Sequence, residues 1–274
     1  MTPPPVSAAT PSPFWWRQSI GGGVHLAFTS VEAGNLARHV GPQQDVETHR
    51  LRLQEAMGVP AGSLRFLDQV HSAQVLDAGD LAAAVPPPPN DGPSVTPLTE
   101  DPATAPTGDA WVCSDGSVPL AIMVADCLPV LLVGHLDRHD PQTAPVTAAA
   151  HAGRPGLLAG VLENTVAAMR DRGAVAITAW IGPGACGSCY EIPDEMVAEL
   201  AADRPALAAT TSWGTSALDL RAEAEQVLAQ AGVTVAPLVG CTLEDPSLFS
   251  HRRDPGQGRF AGLIWMDPVT PSSR

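Results

Sequence analysis

The sequence has 274 residues, 45% of them hydrophobic, and a formal net charge of −14 at pH 7. That composition supplies the core of one large α/β unit, and the acidic balance excludes the basic footprint that nucleic acid or an anionic membrane requires. A small anionic substrate stays open, because a local pocket can oppose the global field.

Residues 1–13 are rich in Pro, Ser, Thr and Ala, and a disordered tail is expected there. The same stretch has no basic region followed by an apolar core, so no secretory signal is expected. A strand is expected over 24–28. Asp45 can cap a helix running to Met57, with Gly58 as its stop. Short strands follow over 64–67 and 74–76. From about 82 to 107 the chain is proline-rich, with four consecutive prolines that favour an extended polyproline segment. We read it as an insertion rather than a linker, because neither flank looks like a complete domain. Strands are expected over 110–113, 120–124 and 130–133. The apolar run that contains the last two is broken by Asp126, and is too short and polar to cross ~30 Å of hydrocarbon. A polar hairpin connection over 135–145 leads to a strand over 146–150. Leu157, Leu158, Val161, Leu162, Thr165 and Met169 share one helical stripe ending before Gly173. After a strand over 177–181, Asp219 caps a helix bearing Leu220, Ala224, Val227 and Leu228, with Gly232 as its stop. Strands over 235–239 and 263–266 complete the chain. Strands outnumber helices without a regular βαβ alternation, which indicates an α+β or layered α/β sandwich.

Four segments carry chemistry-bearing residues. Asp126-Cys127 interrupts an apolar strand. His71 follows Gln69-Val70. His151 ends an apolar strand and enters the turn Gly153-Arg154-Pro155-Gly156. That turn is either a plain tight turn or a helix start whose N–H groups hold an anion. Together His71, Cys127 and His151 offer two imidazoles and a thiolate, a set that suits zinc with a fourth position open. Cys186 and Cys189 form a single CxxC, short of a zinc ribbon and open between a metal site, a redox site and structure. Cys113 and Cys241 read as core residues of apolar strands. Five sparse cysteines suit a reducing, cytoplasmic compartment. His251, Arg252, Arg253 and Arg259 make a basic cluster in an acidic chain, either a solvated turn or an anion clamp.

Gln69-Val70-His71, Ala125-Asp126-Cys127-Leu128-Pro129-Val130, His151-Ala152-Gly153, Ile181-Gly182-Pro183, Tyr190-Glu191, Asp219-Leu220 and Ser250-His251-Arg252-Arg253 together resemble the YfiH-type family. It is also called the laccase-domain or polyphenol oxidase family. Gly34-Asn35-Leu36 and His49-Arg50 resemble it too. The resemblance implies one domain over 14–274, an α/β/β/α-type sandwich with mixed sheets. It implies zinc on His71, Cys127 and His151. It also implies purine nucleoside phosphorylase activity on adenosine, inosine and methylthioadenosine, with adenosine deamination, or in a bacterial branch hydrolysis of a UDP-muramoyl-serine precursor. The chain departs from the family pattern at Arg154-Pro155, where the family has Trp-Arg, and at His49, where it has Asn.

On this reading a nucleoside and phosphate are the partners, with Asn35, Arg50, Arg154 and Arg253 as substrate contacts and Asp126 or Glu191 as proton shuttle. Cys127 as a nucleophile with a histidine base is a rival, and a metal-binding protein without turnover is another. Copper ranks below zinc, since eight histidines and no His-x-His pair do not make a multicopper centre.

Overall fold

The computed structural model describes residues 12–82, 105–137 and 144–267. In chain order its elements are β1 (Phe14–Ile20), β2 (Val24–Thr29), α1 (Gln43–Met57), β3 (Val75–Asp77), α2 (Ala78–Ala82), β4 (Ala110–Cys113), β5 (Leu120–Val124), β6 (Leu128–His135) and β7 (Val146–Ala152). Then come α3 (Arg154–Leu158), α4 (Val161–Asp171), β8 (Ala176–Ile181), α5 (Asp194–Asp203), β9 (Ala208–Thr210), β10 (Ser216–Leu218), α6 (Leu220–Gln230), β11 (Thr234–Val235) and β12 (Phe260–Met266).

Two sheets carry the fold. One has the order β1-β2-β12-β5 and is antiparallel throughout. The other, β11-β8-β6-β7-β4-β3, is mixed, with parallel pairs only at its two edges. Side chains alternate across each strand, and the alternation sorts the core into layers. Leu26 and Phe28 of β2 and Phe260 and Ile264 of β12 meet Leu131, Val133 and Trp111 between the sheets. On the outer face of the first sheet, Ala27, Leu263 and Trp265 pack with Leu53 and Met57 of α1. On the outer face of the second, Val130, Leu132 and Ala150 pack with α4 and α6. The result is the α/β/β/α sandwich, with one antiparallel and one mixed sheet. β6 and β7 are buried on both faces, so they read as continuous apolar runs.

Several local expectations needed correction. The stripe over 157–169 is two helices, because Gly160 takes a left-handed φ of 92° between α3 and α4. Asp45 lies in the first turn of α1 and does not cap it; Pro42 precedes the helix, and Gly58 ends it at φ 75° as expected. Asp219 caps α6, accepting the Ala222 N–H at 2.9 Å. The stretch 64–67 forms an isolated bridge from Arg65 to Leu120, and the strand expected over 235–239 pairs only through β11. β6 and β7 form the expected antiparallel pair, and 138–143 of their connection lie outside the described residues. The tail over 1–11 and most of the proline-rich segment, 83–104, also lie outside them.

Candidate metal centre

Antiparallel pairing places the starts of β4 and β6 beside the end of β7. Asp109, Cys127 and His151 stand at that shared end. His71 arrives from the segment before β3, held by the Asp109 carboxylate. That carboxylate accepts N–H bonds from His71 at 2.9 Å and Ser72 at 2.6 Å, and the Ser72 hydroxyl at 2.7 Å. Cys127 is presented by the tight turn between β5 and β6. In that turn Asp126 accepts the Thr242 hydroxyl at 2.6 Å, the Arg252 N–H at 2.8 Å and, on its carbonyl, the Ala185 N–H at 2.8 Å. His71 (φ 60°) and Asp126 (φ 86°) are the only non-glycine residues with positive φ among the described residues. Each such conformation costs of order 1–3 kcal/mol and persists where surrounding bonds enforce it, commonly at functional sites.

One ligand atom from each of His71, Cys127 and His151 lies within 4.8 Å of the other two. The His71 Nε2 is 3.6 Å from the Cys127 Sγ, and the two imidazoles meet edge-on with centroids 4.6 Å apart. His151 Nδ1 donates to Asp109 at 2.8 Å, which leaves Nε2 for the cluster. A Cβ on Gly153 would stand 2.5 Å from the His71 ring and 2.9 Å from the thiol, so glycine is required for this close approach. Burial opposes ionisation of Cys127, but bonds and charges from His151 and His71 outweigh it and bring the thiol down to about 6. Burial likewise opposes a charged His151, yet Asp109 and Cys127 raise it to about 9. Asp109 is held down to about 2, its burial outweighed by bonds from His151 and Ser72. Two imidazoles and a low-pKa thiolate aimed at one point fit a zinc-class ion.

The cluster lies in a cavity of about 460 Å³ whose wall includes Gln69, Tyr190, His251, Arg252 and Arg259. The Arg252 guanidinium stacks 4.6 Å over the Tyr190 ring and donates to the Glu191 carbonyl at 2.8 Å. Three of the four basic-cluster residues therefore line the cavity, and Arg253 does not. Its guanidinium is taken up by the Thr242, Leu243, Asp245 and Leu248 carbonyls of a loop without ladder partners. The other expected substrate contacts are also engaged elsewhere. Asn35 braces its own loop through Ala37 and Val40 and accepts the Arg259 N–H at 3.0 Å. Arg50 is buried, donating to the Leu36 carbonyl and lying 3.7 Å over Phe66. Arg154 rests against the Met196 thioether. Glu191 turns out of the cavity to accept the Trp213 indole N–H at 2.8 Å. Asp126 lines the cavity with both carboxylate oxygens occupied. Asp109, the residue that orders the cluster, went unnoticed in the sequence; the one available signal is a lone carboxylate directly before a fully apolar strand.

Fold and cluster define a layered α/β protein of the YfiH type. The hypothetical protein YfiH of Bacillus licheniformis shares the fold at TM-score 0.69 and 24% identity, over 89% of this chain and 93% of that one. YlmD from Geobacillus stearothermophilus superposes at TM-score 0.72 with 27% identity, over 94% of this chain and all of that one, 100%. The family model for multi-copper polyphenol oxidoreductase laccase matches residues 19–267, and the chain belongs to that family. It is 39% identical, over 89% of its length and 96% of the relative's, to the purine nucleoside phosphorylase SCO2081 of Streptomyces coelicolor. Among the described residues no helix is long and apolar enough to cross a membrane.

Proposed function

We propose that the chain is a zinc-dependent purine nucleoside phosphorylase acting on adenosine, inosine and methylthioadenosine, with adenosine deamination as a second activity. The observation that carries this is the His71–Cys127–His151 cluster, its ligand atoms within 4.8 Å of one another, at the base of a cavity edged by arginines. The 39% identical relative named as a purine nucleoside phosphorylase supports the reaction class. The volume suits a nucleoside and a small anion together. Five unpaired thiols support a reducing, cytoplasmic setting.

His71, Cys127 and His151 would hold the ion, with Asp109 fixing the His151 tautomer. When bound, zinc supplies Lewis-acidic charge beside the substrate. Arg252 and Arg259 hold the phosphate, and the Tyr190 ring keeps the Arg252 guanidinium planar against the wall. A phosphate oxygen so oriented attacks C1′ of the nucleoside. The bond from C1′ to the purine nitrogen breaks, its electron pair leaves with the base, and the base takes up the proton that hydrogen phosphate brings, giving free purine and pentose 1-phosphate. Asp126 steadies the loop that carries Arg252, because both its oxygens are already engaged.

A second reading, Cys127 as a nucleophile with His71 as base, is favoured by the 3.6 Å contact and the lowered thiol pKa. Metal-free protein that stays fully active would establish it. The test of the main reading is adenosine incubated with zinc-loaded protein, with and without phosphate. Adenine formed only with phosphate supports phosphorolysis, and inosine formed without it supports deamination. Neither product, with UDP-muramoyl-serine hydrolysed instead, replaces the reading with precursor editing.

A further inference from the structure

Behind the Asp126 turn lies a second cluster that the proposed reaction does not use. Thiols of Cys186, Cys189 and Cys241 and a carboxylate oxygen of Glu244 all lie within 4.8 Å of one another. Cys186 and Cys189 sit in the loop after β8. There the Cys186 carbonyl accepts both the Cys189 and the Tyr190 N–H at 2.9 Å, a turn that puts the two thiols on one side. Cys241 is buried as its sequence suggests, but not on a strand. It lies in the loop between β11 and β12, bridged to Gly184, with the Thr242 N–H on the Gly184 carbonyl at 3.0 Å. Glu244 reaches the group through the turn closed by the Asp245 N–H on the Cys241 carbonyl, at 3.0 Å.

The spacing is that of a small tetrahedron. Zinc–sulfur bonds of about 2.3 Å and zinc–oxygen bonds of about 2.0 Å give sulfur–sulfur edges of about 3.8 Å and sulfur–oxygen edges of about 3.5 Å. Cys189 Sγ is 3.5 Å from Glu244 Oε1. The other edges lie within 4.8 Å, so each reaches tetrahedral length by closing about 1.3 Å at most. The number of thiols also matters: a disulfide between any two would strand the third beside a carboxylate. A dication is the partner that lets thiols so closely grouped ionise together. The Arg253 guanidinium, bonded to carbonyls on both sides of Glu244, adds positive charge next to what becomes an anionic cluster.

The geometry points to a second, structural metal site that takes a zinc-class dication on the Cys186, Cys189 and Cys241 thiolates and the Glu244 carboxylate. Binding releases the three thiol protons to solvent and forms three metal–sulfur bonds and one metal–oxygen bond, with no change of oxidation state. Four protein ligands close the coordination sphere, so the role is structural. The exposed Glu244 gives the ion an entry path from solvent. The ion ties the loop bearing Tyr190 to the loop bearing Thr242 and Arg252, which together brace Asp126 and the cavity wall.

The test is metal stoichiometry on full-length protein purified under reducing conditions, loaded with zinc and desalted. Wild type should hold two zinc ions per chain. Cys127→Ser and Cys241→Ser should each hold one, and the double variant none. Cobalt-loaded Cys127→Ser should keep strong thiolate-to-metal absorption, and cobalt-loaded Cys241→Ser should show only that of a one-thiolate site. Wild type with a single zinc that Cys241→Ser retains would overturn the proposal; if a cysteine variant fails to fold, wild type with a single cobalt and only the absorption of a one-thiolate site overturns it equally. Three free thiols instead of five in denatured, unreduced protein would also overturn it, in favour of a disulfide. Loss of zinc only in Cys127→Ser would support the His71–Cys127–His151 site and overturn the second one, so the two sites fail distinguishably.

Discussion

Asp109→Asn removes a charge and one acceptor from the centre without changing its shape, and its consequences can be worked out bond by bond. The carboxylate accepts on one oxygen from the His71 N–H and from His151 Nδ1, and on the other from the Ser72 N–H and hydroxyl and, at 3.3 Å, the Val70 N–H. An amide has a single acceptor oxygen. With that oxygen toward His151, its NH₂ meets the Ser72 N–H; with it toward Ser72, the NH₂ meets the His71 N–H and favours the wrong His151 tautomer. Either way a part-buried N–H loses its partner, at a cost of about 1–3 kcal/mol. The carboxyl is held down to about 2 from an ordinary 3.8, which by linkage is again about 2–3 kcal/mol of the same interaction, counted once. Because this folded-state pKa is depressed, the stabilisation is present above about pH 4 and lost as pH falls towards 2. Denaturant unfolding of metal-free protein should therefore show Asp109→Asn less stable by about 2–3 kcal/mol at pH 7, with the gap closing below pH 4. Chelator competition should show zinc bound about 10- to 100-fold more weakly, the usual effect of losing an outer-shell partner. Zinc affinity within about twofold of wild type would refute the role given to Asp109.

Gly153→Ala places a methyl 2.5 Å from the His71 ring and 2.9 Å from the Cys127 sulfur. It should lower zinc affinity at least about tenfold with little change in the circular dichroism spectrum, since the clash falls on the ligands. In metal-free protein, alkylation of Cys127 by iodoacetamide should rise with a midpoint near pH 6, because the thiolate is favoured above that value, and zinc should block it. A midpoint in the ordinary thiol range would remove the imidazole–thiolate pairing. Arg252→Ala should lower kcat/KM for phosphorolysis by roughly 10- to 150-fold, mostly through the KM for phosphate. Arg154→Ala, whose side chain lies against Met196 outside the cavity wall, should stay within about threefold of wild type.

The layered fold was legible because β6 and β7 are apolar on both faces and because Asp219, Gly58 and Gly232 punctuate helices by local chemistry. β1 was not, since its Arg17-Gln18-Ser19 half is exposed on a sheet edge and breaks the apolar pattern. β9 and β10 are three residues each, too short to show a period. The three cluster residues could be named from motifs, yet their partners could not. Asp109 acts on His151 across 42 positions, and nothing local marks a carboxylate as the receiver of five bonds. Arg252 and Arg253 are adjacent and chemically identical; one joins the cavity and the other caps carbonyls, a choice made by loop geometry alone. Cys241 reads as the end of an apolar strand and is indeed buried, yet Val239 is 84% exposed and the Cys241 thiol joins the Cys186–Cys189 pair, which no local pattern marks.

The most direct measurement is adenine release from adenosine by zinc-loaded wild type and Cys127→Ser, with phosphate present and absent, products resolved by chromatography. The account predicts adenine and ribose 1-phosphate in equal amounts from wild type, dependent on phosphate, and a loss of most of that activity in Cys127→Ser together with its cluster zinc. Zinc-loaded wild type that releases no free base, adenine from adenosine or methylthioadenosine or hypoxanthine from inosine, or a Cys127→Ser variant as active as wild type, would contradict it.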